Sequence, residues 1–137
     1  MPVSPAQLKA LKAAARKASQ QAYAPYSKFK VGAAVLTRSG KIYAGCNVEN
    51  ASYGLCNCAE RTAVFNAVAA GEKKLKIKCV AIYTPTLDPA APCGACRQVI
   101  NEFGPHARIV SNCRSRRILD TTLDQLLPNA FGPANLK

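Results

Sequence analysis

The sequence predicts an α/β protein in which helices and strands pack in layers. Helical and strand patterns alternate along the 137 residues, and no internal repeat or long linker divides them. This length suits one domain, so we expect a single domain over residues 1–137. With 49% apolar residues the chain can form a packed core, yet no apolar run approaches the roughly 20 residues that span a bilayer.

The N-terminal half is predicted to form a β-hairpin between two helices. Residues 5–22 carry apolar side chains at helical spacing, with Ser4 as the N-cap. Residues 31–48 contain two short apolar runs on either side of a Ser-Gly turn, which indicates a hairpin. Residues 58–71 follow the pattern of a buried helix.

The C-terminal half alternates in the same way. The pattern predicts a buried strand over 77–84, a helix over 93–104, a strand over 108–111 and a short helix that includes Leu123, Leu126 and Leu127. Thr122 and Gln125 have the spacing of a capping box at the start of that last helix.

The charge and the cysteine count suggest different kinds of function. Lysine and arginine outnumber aspartate and glutamate 19 to 7, a net charge of +12 that is typical of nucleic-acid-binding proteins. The chain also has seven cysteines, and residues 1–30 contain no apolar signal segment. An odd cysteine count without a secretory signal favours a metal site over a disulfide framework, and we expect a cytoplasmic protein.

Three cysteines at two predicted helix starts have the spacing of metal ligands. Cys93 and Cys96 are three residues apart, which places both sulfurs on one helical face, and Cys58 from a second helix can supply a third thiolate. Three protein ligands leave one coordination position open. Catalytic zinc sites have this arrangement, whereas structural zinc sites usually have four Cys or His ligands.

Charged residues follow both cysteine motifs. Zinc with three thiolates has a formal charge of −1, so we expect Arg61 or Arg97 to donate a hydrogen bond to a ligand sulfur. The alternative places both arginines on solvated helix faces. Glu60 lies two residues after Cys58 and can move a proton from a metal-bound water to a substrate. Its alternative is an exposed glutamate that the helix dipole favours in a first turn.

Five segments together resemble the small homotetrameric cytidine deaminases. They occur in the same order as in that family, and the resemblance extends over nearly the whole chain. Zinc deaminases that act on nucleobases carry a ligand-x-Glu motif followed by Pro-Cys-x-x-Cys. The matching segments are FKVGAA (29–34), GCNVEN (45–50), CAERT (58–62), PCGACRQ (92–98) and LLPNAFGP (126–133). The resemblance implies a three-layer α/β/α sandwich around a central, mixed five-stranded sheet. It also implies a homotetramer whose active sites are completed by neighbouring subunits.

The resemblance assigns a reaction to the cysteine motifs. It implies that Cys58, Cys93 and Cys96 hold one Zn²⁺ per subunit, with water or hydroxide in the fourth position. Glu60 would carry that water's proton to N3 of cytosine while C4 is attacked, and a second transfer would release ammonia. Cytidine and deoxycytidine would thus become uridine and deoxyuridine, a step of pyrimidine salvage. Arg61 and Gln98 are expected to support the metal ligands.

Further residues match the family's nucleoside contacts. Asn47 and Glu49 align with the pair that binds the ribose hydroxyls, and an anionic Glu49 would repel a phosphate there. Without the resemblance, Glu49 would be assigned to a solvated loop. The remaining matches are the backbone of Ala59 against the base, Phe29 and Phe131 along the pyrimidine pocket, with Phe131 from a neighbouring subunit, and Tyr53 across an interface.

Several alternatives remain open from the sequence. Cys56 is an alternative to Cys58 as a metal ligand, although only Cys58 has the Cys-x-Glu spacing. The sequence departs from the family pattern at Lys30, where that pattern has proline. The substrate could be a polynucleotide or a nucleoside-like antibiotic, but aromatic residues for a nucleic-acid groove are few. A zinc-stabilised nucleic-acid-binding module would need a fourth ligand. We therefore expect a free nucleoside as substrate, with neither a nucleic-acid nor a membrane partner.

Overall fold

One five-stranded sheet forms the centre of the protein. A computed structural model describes residues 2–136, so Met1 and Lys137, the two ends of the predicted domain, lie outside the described residues. The strands are β1 (Gly32–Thr37), β2 (Ile42–Cys46), β3 (Ile77–Tyr83), β4 (Arg108–Asn112) and β5 (Leu119–Thr122). The helices are α1 (Pro5–Ser19), α2 (Ala59–Ala69), α3 (Gly94–Phe103) and α4 (Leu123–Leu126), with short 3₁₀ turns at Tyr53–Leu55 and Pro133–Leu136.

The sheet has the order β2-β1-β3-β4-β5. β3 and β4 run parallel, and the other neighbouring pairs are antiparallel. The parallel pair needs a crossover connection, which α3 provides. The predicted mixed five-stranded sheet is therefore confirmed.

Helices cover both faces of this sheet, as the predicted three-layer sandwich requires. On one face, α1 buries Leu11 and Ala15 against side chains of β1, β3 and β4. On the other face, α2 and α3 bury Val64 and Ile100 in a second apolar cluster with Val35 and Ile109. Burying such side chains contributes about 1.5–3 kcal/mol each, which makes the two clusters the main stabilising contacts of the fold.

Two glycines allow the helices to approach the sheet closely. A Cβ atom on Gly32 would overlap the carbonyl oxygen of Ala15 in α1, and one on Gly45 would overlap the backbone of Ala63 in α2. A larger residue at either position would separate a helix from the sheet. The contact at Gly45 matters for function because α2 begins directly after Cys58.

The structure also corrects three local predictions. α1 ends at Ser19 rather than at residue 22. β5 was not predicted as an element, because its four residues contain a single apolar side chain and give no strand periodicity. The capping box of Thr122 and Gln125 does not form: Thr122 ends β5 and makes no capping bond, and Gln125 accepts a 2.7 Å hydrogen bond from the Thr121 hydroxyl.

The length and hydropathy of the helices were compared with those of membrane-spanning helices. Between residues 2 and 136, no helix is both long and apolar enough to cross a membrane.

Candidate active site

Two helix N-termini meet at the predicted metal site. Cys58 is the N-cap of α2 and Cys93 is the N-cap of α3, and these helices pack against each other. Neither cysteine uses its side chain to cap its helix. The partial positive charge of a helix N-terminus favours a thiolate over a thiol, so both sulfurs are placed for metal binding.

The three predicted ligands lie together in space. The Sγ atom of Cys93 is 3.8 Å from that of Cys58 and 3.5 Å from that of Cys96. All three sulfurs lie within 4.8 Å of one another. Tetrahedral zinc with Zn–S bonds near 2.3 Å separates its sulfurs by about 3.8 Å. The spacing and chemistry of these donors therefore fit one zinc ion.

Arg61 supplies positive charge at this cluster. Its Nη2 atom donates a 3.3 Å hydrogen bond to the Sγ atom of Cys58. Hydrogen bonding with Cys96, together with this contact from Arg61, lowers the pKa of Cys58 to about 5. The pKa of Cys96 is raised instead, because its thiol is hydrogen-bonded with the Cys58 sulfur and is buried. The cluster thus stabilises the anionic form of Cys58 before any metal binds.

Glu60 is buried directly beside the ligands. It lies in the first turn of α2, and only 5% of its surface is exposed. Burial raises the pKa of Glu60 above the usual glutamate range, despite an opposing hydrogen bond from its own backbone amide. A carboxyl group whose pKa moves toward neutrality is better suited to both accepting and donating a proton. An exposed position in the first turn is thereby ruled out.

The side chains after the Cys-x-x-Cys motif have other partners. Arg97 donates to the carbonyl oxygens of Pro92 at 2.7 Å and Leu126 at 2.9 Å. Gln98 donates to the carbonyl of Phe131 at 2.9 Å, and no hydrogen bond from Gln98 to a cysteine sulfur occurs within residues 2–136. Gln98 was expected to support a metal ligand. In the structure, its side-chain amide instead binds the C-terminal segment through the carbonyl of Phe131.

A short antiparallel bridge brings the predicted sugar contacts to the same region. Val48 and Asn57 exchange backbone hydrogen bonds of 3.0 and 2.9 Å. Asn47 and Glu49 flank Val48, and Cys58 follows Asn57 in the opposing segment. The bridge therefore places the predicted ribose-binding pair alongside the first metal ligand.

Asn47 and Glu49 both hold the loop that precedes β1. Asn47 accepts from the backbone N–H of Val31 at 2.8 Å and donates to the carbonyl of Phe29 at 2.7 Å. Glu49 accepts from the backbone N–H groups of Tyr26 and Ser27 at 3.0 and 3.1 Å. These contacts show that the predicted sugar residues also determine the backbone course near Phe29.

Ser27 is a connecting residue that the sequence analysis missed. Its hydroxyl donates to the second carboxylate oxygen of Glu49 and accepts a 3.0 Å hydrogen bond from the N–H of Phe29. The hydrogen bond from the Ser27 hydroxyl makes the largest contribution to lowering the pKa of Glu49 below its ordinary value. The only signal in the sequence was a serine two residues before a predicted pocket aromatic, which is too common to identify such a role.

A small cavity adjoins this loop. It has a volume of about 300 Å³ and is lined by Tyr26, Ser27, Glu49, Tyr53 and Cys56. This volume lies at the lower end of the range for small-molecule sites. The Tyr26 and Tyr53 rings meet edge to face with centroids 6.0 Å apart. Cys56 contacts the backbone of Asn50 and is not part of the three-cysteine cluster.

The three aromatic residues that were predicted to contact the nucleoside are exposed to solvent in the single chain. Phe29 is 41% exposed, Tyr53 74% and Phe131 57%. Ala59, whose backbone was expected to touch the base, is the buried first residue of α2. The structure thus brings Cys58, Cys93, Cys96, Glu60 and Arg61 into one cluster. It leaves Phe29, Tyr53 and Phe131 accessible to solvent in the single chain.

Comparisons with known proteins give a consistent result. Residues 5–112 match the family described as the cytidine and deoxycytidylate deaminase zinc-binding region. The chain is 49% identical over 126 residues to a cytidine deaminase from Sporosarcina psychrophila, covering 90% of each chain. It is 45% identical over 116 residues to one from Halalkalibacterium halodurans, covering 84% of this chain and 86% of the relative.

The fold agrees with solved structures as well. A crystal structure of cytidine deaminase from Burkholderia pseudomallei superposes with a TM-score of 0.85 and 53% sequence identity, covering 90% of this chain and 98% of that one. A structure from Mycobacterium tuberculosis gives a TM-score of 0.75 at 37% identity, covering 91% and 97%. The protein is therefore an enzyme of the zinc-binding cytidine deaminase family.

Proposed function

We propose that this protein hydrolyses both cytidine and deoxycytidine, yielding uridine or deoxyuridine and ammonia. The observation that carries the proposal is the buried Glu60 next to three clustered cysteine sulfurs. None of the seven cysteines forms a disulfide in the described chain, which suits a cytoplasmic enzyme, and the products suit a role in pyrimidine salvage.

Glu60 moves the protons of the proposed reaction. Zinc held by Cys58, Cys93 and Cys96 supplies a Lewis acid that makes a water molecule easier to deprotonate at neutral pH. Glu60 accepts a proton from the attacking water and delivers it to N3 of the cytosine ring, which makes C4 more electrophilic. Glu60 then carries the second proton of that water to the amino group, which leaves C4 as ammonia. One carboxylate acts first as base and then as acid, and it is regenerated in each cycle.

Glu49 selects nucleosides over nucleotides. An ionised carboxylate has about four lone-pair positions, and the contacts from Tyr26 and Ser27 occupy three of them. The remaining position can accept a ribose hydroxyl. A phosphate at the same place would meet a negative charge, so the site favours substrates that carry no phosphate on the sugar.

We expect the enzyme to deaminate cytidine and deoxycytidine and to leave cytidine monophosphate almost unchanged. Glu49→Gln should raise the KM for cytidine about tenfold, because a charge-assisted hydrogen bond becomes a neutral one. The same variant should reduce the discrimination against the monophosphate. Steady-state rates on the three substrates measure both effects.

Ser27→Ala is the matched control for this experiment. It removes one hydrogen bond from the Glu49 carboxylate and one from Phe29 but keeps the negative charge. We expect its KM for cytidine to rise while the monophosphate remains a poor substrate. An unchanged KM in Glu49→Gln would contradict the assignment of Glu49 to the sugar.

We further infer that the active enzyme is a homotetramer. Phe29, Tyr53 and Phe131 are exposed in the single chain, and the carbonyl of Phe131 accepts hydrogen bonds from Gln98 and Asn101 of α3, the helix that carries Cys96. A ring that is 57% exposed in one chain can enter the pocket of a neighbour. The expected solution mass is four times the 14.6 kDa of the chain.

Mixed oligomers test the contribution of Phe131. Glu60→Gln and Phe131→Ala subunits, each weakly active alone, should regain activity when they are co-expressed in one oligomer. The Phe131→Ala subunit keeps its Glu60 and would receive the ring of its neighbour. Activity of the mixture that merely equals the average of the two parents would show that Phe131 serves its own subunit.

A further inference from the structure

A second and larger cavity lies away from the metal cluster. It has a volume of about 880 Å³, and its lining comes from the N-terminal segment, the starts of β3 and β4, the end of α3, and β5. Cys93 precedes the first residue of α3, and Phe103 at the other end of that helix lines the cavity. Ten helical residues span roughly 15 Å, so this cavity is separate from the proposed active site.

The cavity is strongly basic. Arg38, Lys76, Lys78 and Arg108 contribute to its lining, and among residues 2–136 Asp120 is the only Asp or Glu that does so. Asp120 is already engaged, since it accepts hydrogen bonds of 3.0 and 2.7 Å from Arg108. In residues 2–136, no carboxylate lies within ion-pair distance of the other three cations.

The backbone brings two of these cations together from different parts of the sequence. The N–H of Arg38, just after β1, donates a 2.8 Å hydrogen bond to the carbonyl of Lys76, just before β3. Other acids line neighbouring depressions: Asp124 lies 3.7 Å from His106, which also lines the cavity, and Glu72 and Glu102 line a depression together with Lys76. The cavity therefore carries a positive charge that no ion pair among the described residues neutralises.

We propose that this basic cavity binds a small anion with several phosphate groups, such as the polyphosphate chain of a nucleotide. Its volume falls within the range of small-molecule sites. Lysine and arginine are the side chains that bind phosphate, and the apolar wall of Val3, Phe103 and Pro105 can accept a base or another flat group. This site does not depend on the proposed deaminase reaction.

A small ligand fits better than a nucleic acid. Proteins that bind single strands combine a basic groove with aromatic side chains on which the bases stack. Within the described part of the chain, Phe103 is the only Phe, Tyr or Trp residue that lines this cavity, and it is half-buried. A strand of nucleic acid would therefore lack the stacking surface that it needs.

Calorimetric titration with tripolyphosphate and with adenosine triphosphate tests the proposal. We expect both to bind the zinc-loaded enzyme with an affinity that falls as salt rises, and the nucleotide to bind more tightly. The double variant Lys76→Gln/Lys78→Gln should weaken both at least about tenfold, because charge-assisted contacts are lost. Arg38→Gln, on an exposed turn, should weaken them as well.

A charge-matched control distinguishes binding in this cavity from nonspecific electrostatic attraction to a basic protein. Lys17→Gln/Arg116→Gln also removes two positive charges, and neither residue lines the cavity. Its affinity should match the wild type, as should that of Glu60→Gln. Equal weakening in both double variants, no binding by the wild type, or displacement of the nucleotide by a short RNA at lower concentration would overturn the proposal. Unchanged cytidine turnover in the lysine variants shows that they are folded.

Discussion

Glu60→Gln should abolish nearly all cytidine turnover while the protein keeps its zinc. Removing a general acid–base group costs about 10²- to 10⁴-fold in rate, and here one carboxylate is assigned every proton transfer. Glutamine has almost the same shape but cannot carry a proton between water and the base. Because Glu60 is not one of the three clustered ligands, metal content should stay at the wild-type level.

Stability gives a second readout for this variant. Glu60 is 5% exposed, and keeping a carboxylate ionised in such a place costs free energy of folding. The glutamine variant should therefore unfold at the same temperature as the wild type or slightly higher. Glu102→Gln, an exposed glutamate on α3, is the control and should keep full activity. Rapid turnover by a folded Glu60→Gln enzyme would remove Glu60 from the mechanism.

Cys96→Ala should lose both zinc and activity. Cys96 is fully buried and its sulfur is 3.5 Å from that of Cys93, so its removal leaves two thiolates at the site. Two ligands hold zinc far more weakly than three. Metal analysis after dialysis should find little zinc in the variant, and cytidine turnover should fall below detection.

Cys79→Ala is the matched control for the loss of a buried thiol. Cys79 is also fully buried, but it lies in β3 on the face covered by α1. This variant should keep zinc and activity while losing some stability to the small cavity it creates. A chelator should lower the unfolding temperature of wild type and Cys79→Ala but leave Cys96→Ala unchanged, because only the first two have bound metal to lose. Full zinc occupancy in Cys96→Ala would contradict the assigned ligand set.

The parts of the site that the sequence could predict depend on local spacing. Cys93 caps α3 and Cys96 lies in the first turn of that helix, and Glu60 and Arg61 follow the capping Cys58 in α2, so local helical geometry places each group. That the two groups meet was an inference from metal chemistry. The structure brings them together by packing α2 against α3 on one face of the sheet.

The parts that were missed depend on contacts between distant segments. Ser27 gains its role from Glu49, which lies 22 residues further along the chain. Gln98 was expected near the metal because it follows the Cys-x-x-Cys motif, but its amide reaches the carbonyl of Phe131 instead. Spacing along one helix cannot reveal such partners, because they belong to distant segments that only the tertiary fold brings together.

Part of the positive charge lies at two defined places in the structure. Only two ion pairs between arginine and carboxylate, at Arg108 and Arg117, occur between residues 2 and 136. Arg61 is used at the cysteine cluster, whereas Arg38, Lys76 and Lys78 gather around the 880 Å³ cavity at the far end of α3. The composition alone could show the excess of +12 but not where these four cations lie in the fold.

Zinc content and cytidine turnover should be measured on one purified sample at several levels of zinc loading. We expect a maximum of one zinc ion per chain, and a rate of uridine and ammonia formation that rises in proportion to the zinc bound. Protein that carries a full complement of zinc yet leaves both cytidine and deoxycytidine unchanged would contradict the proposed function.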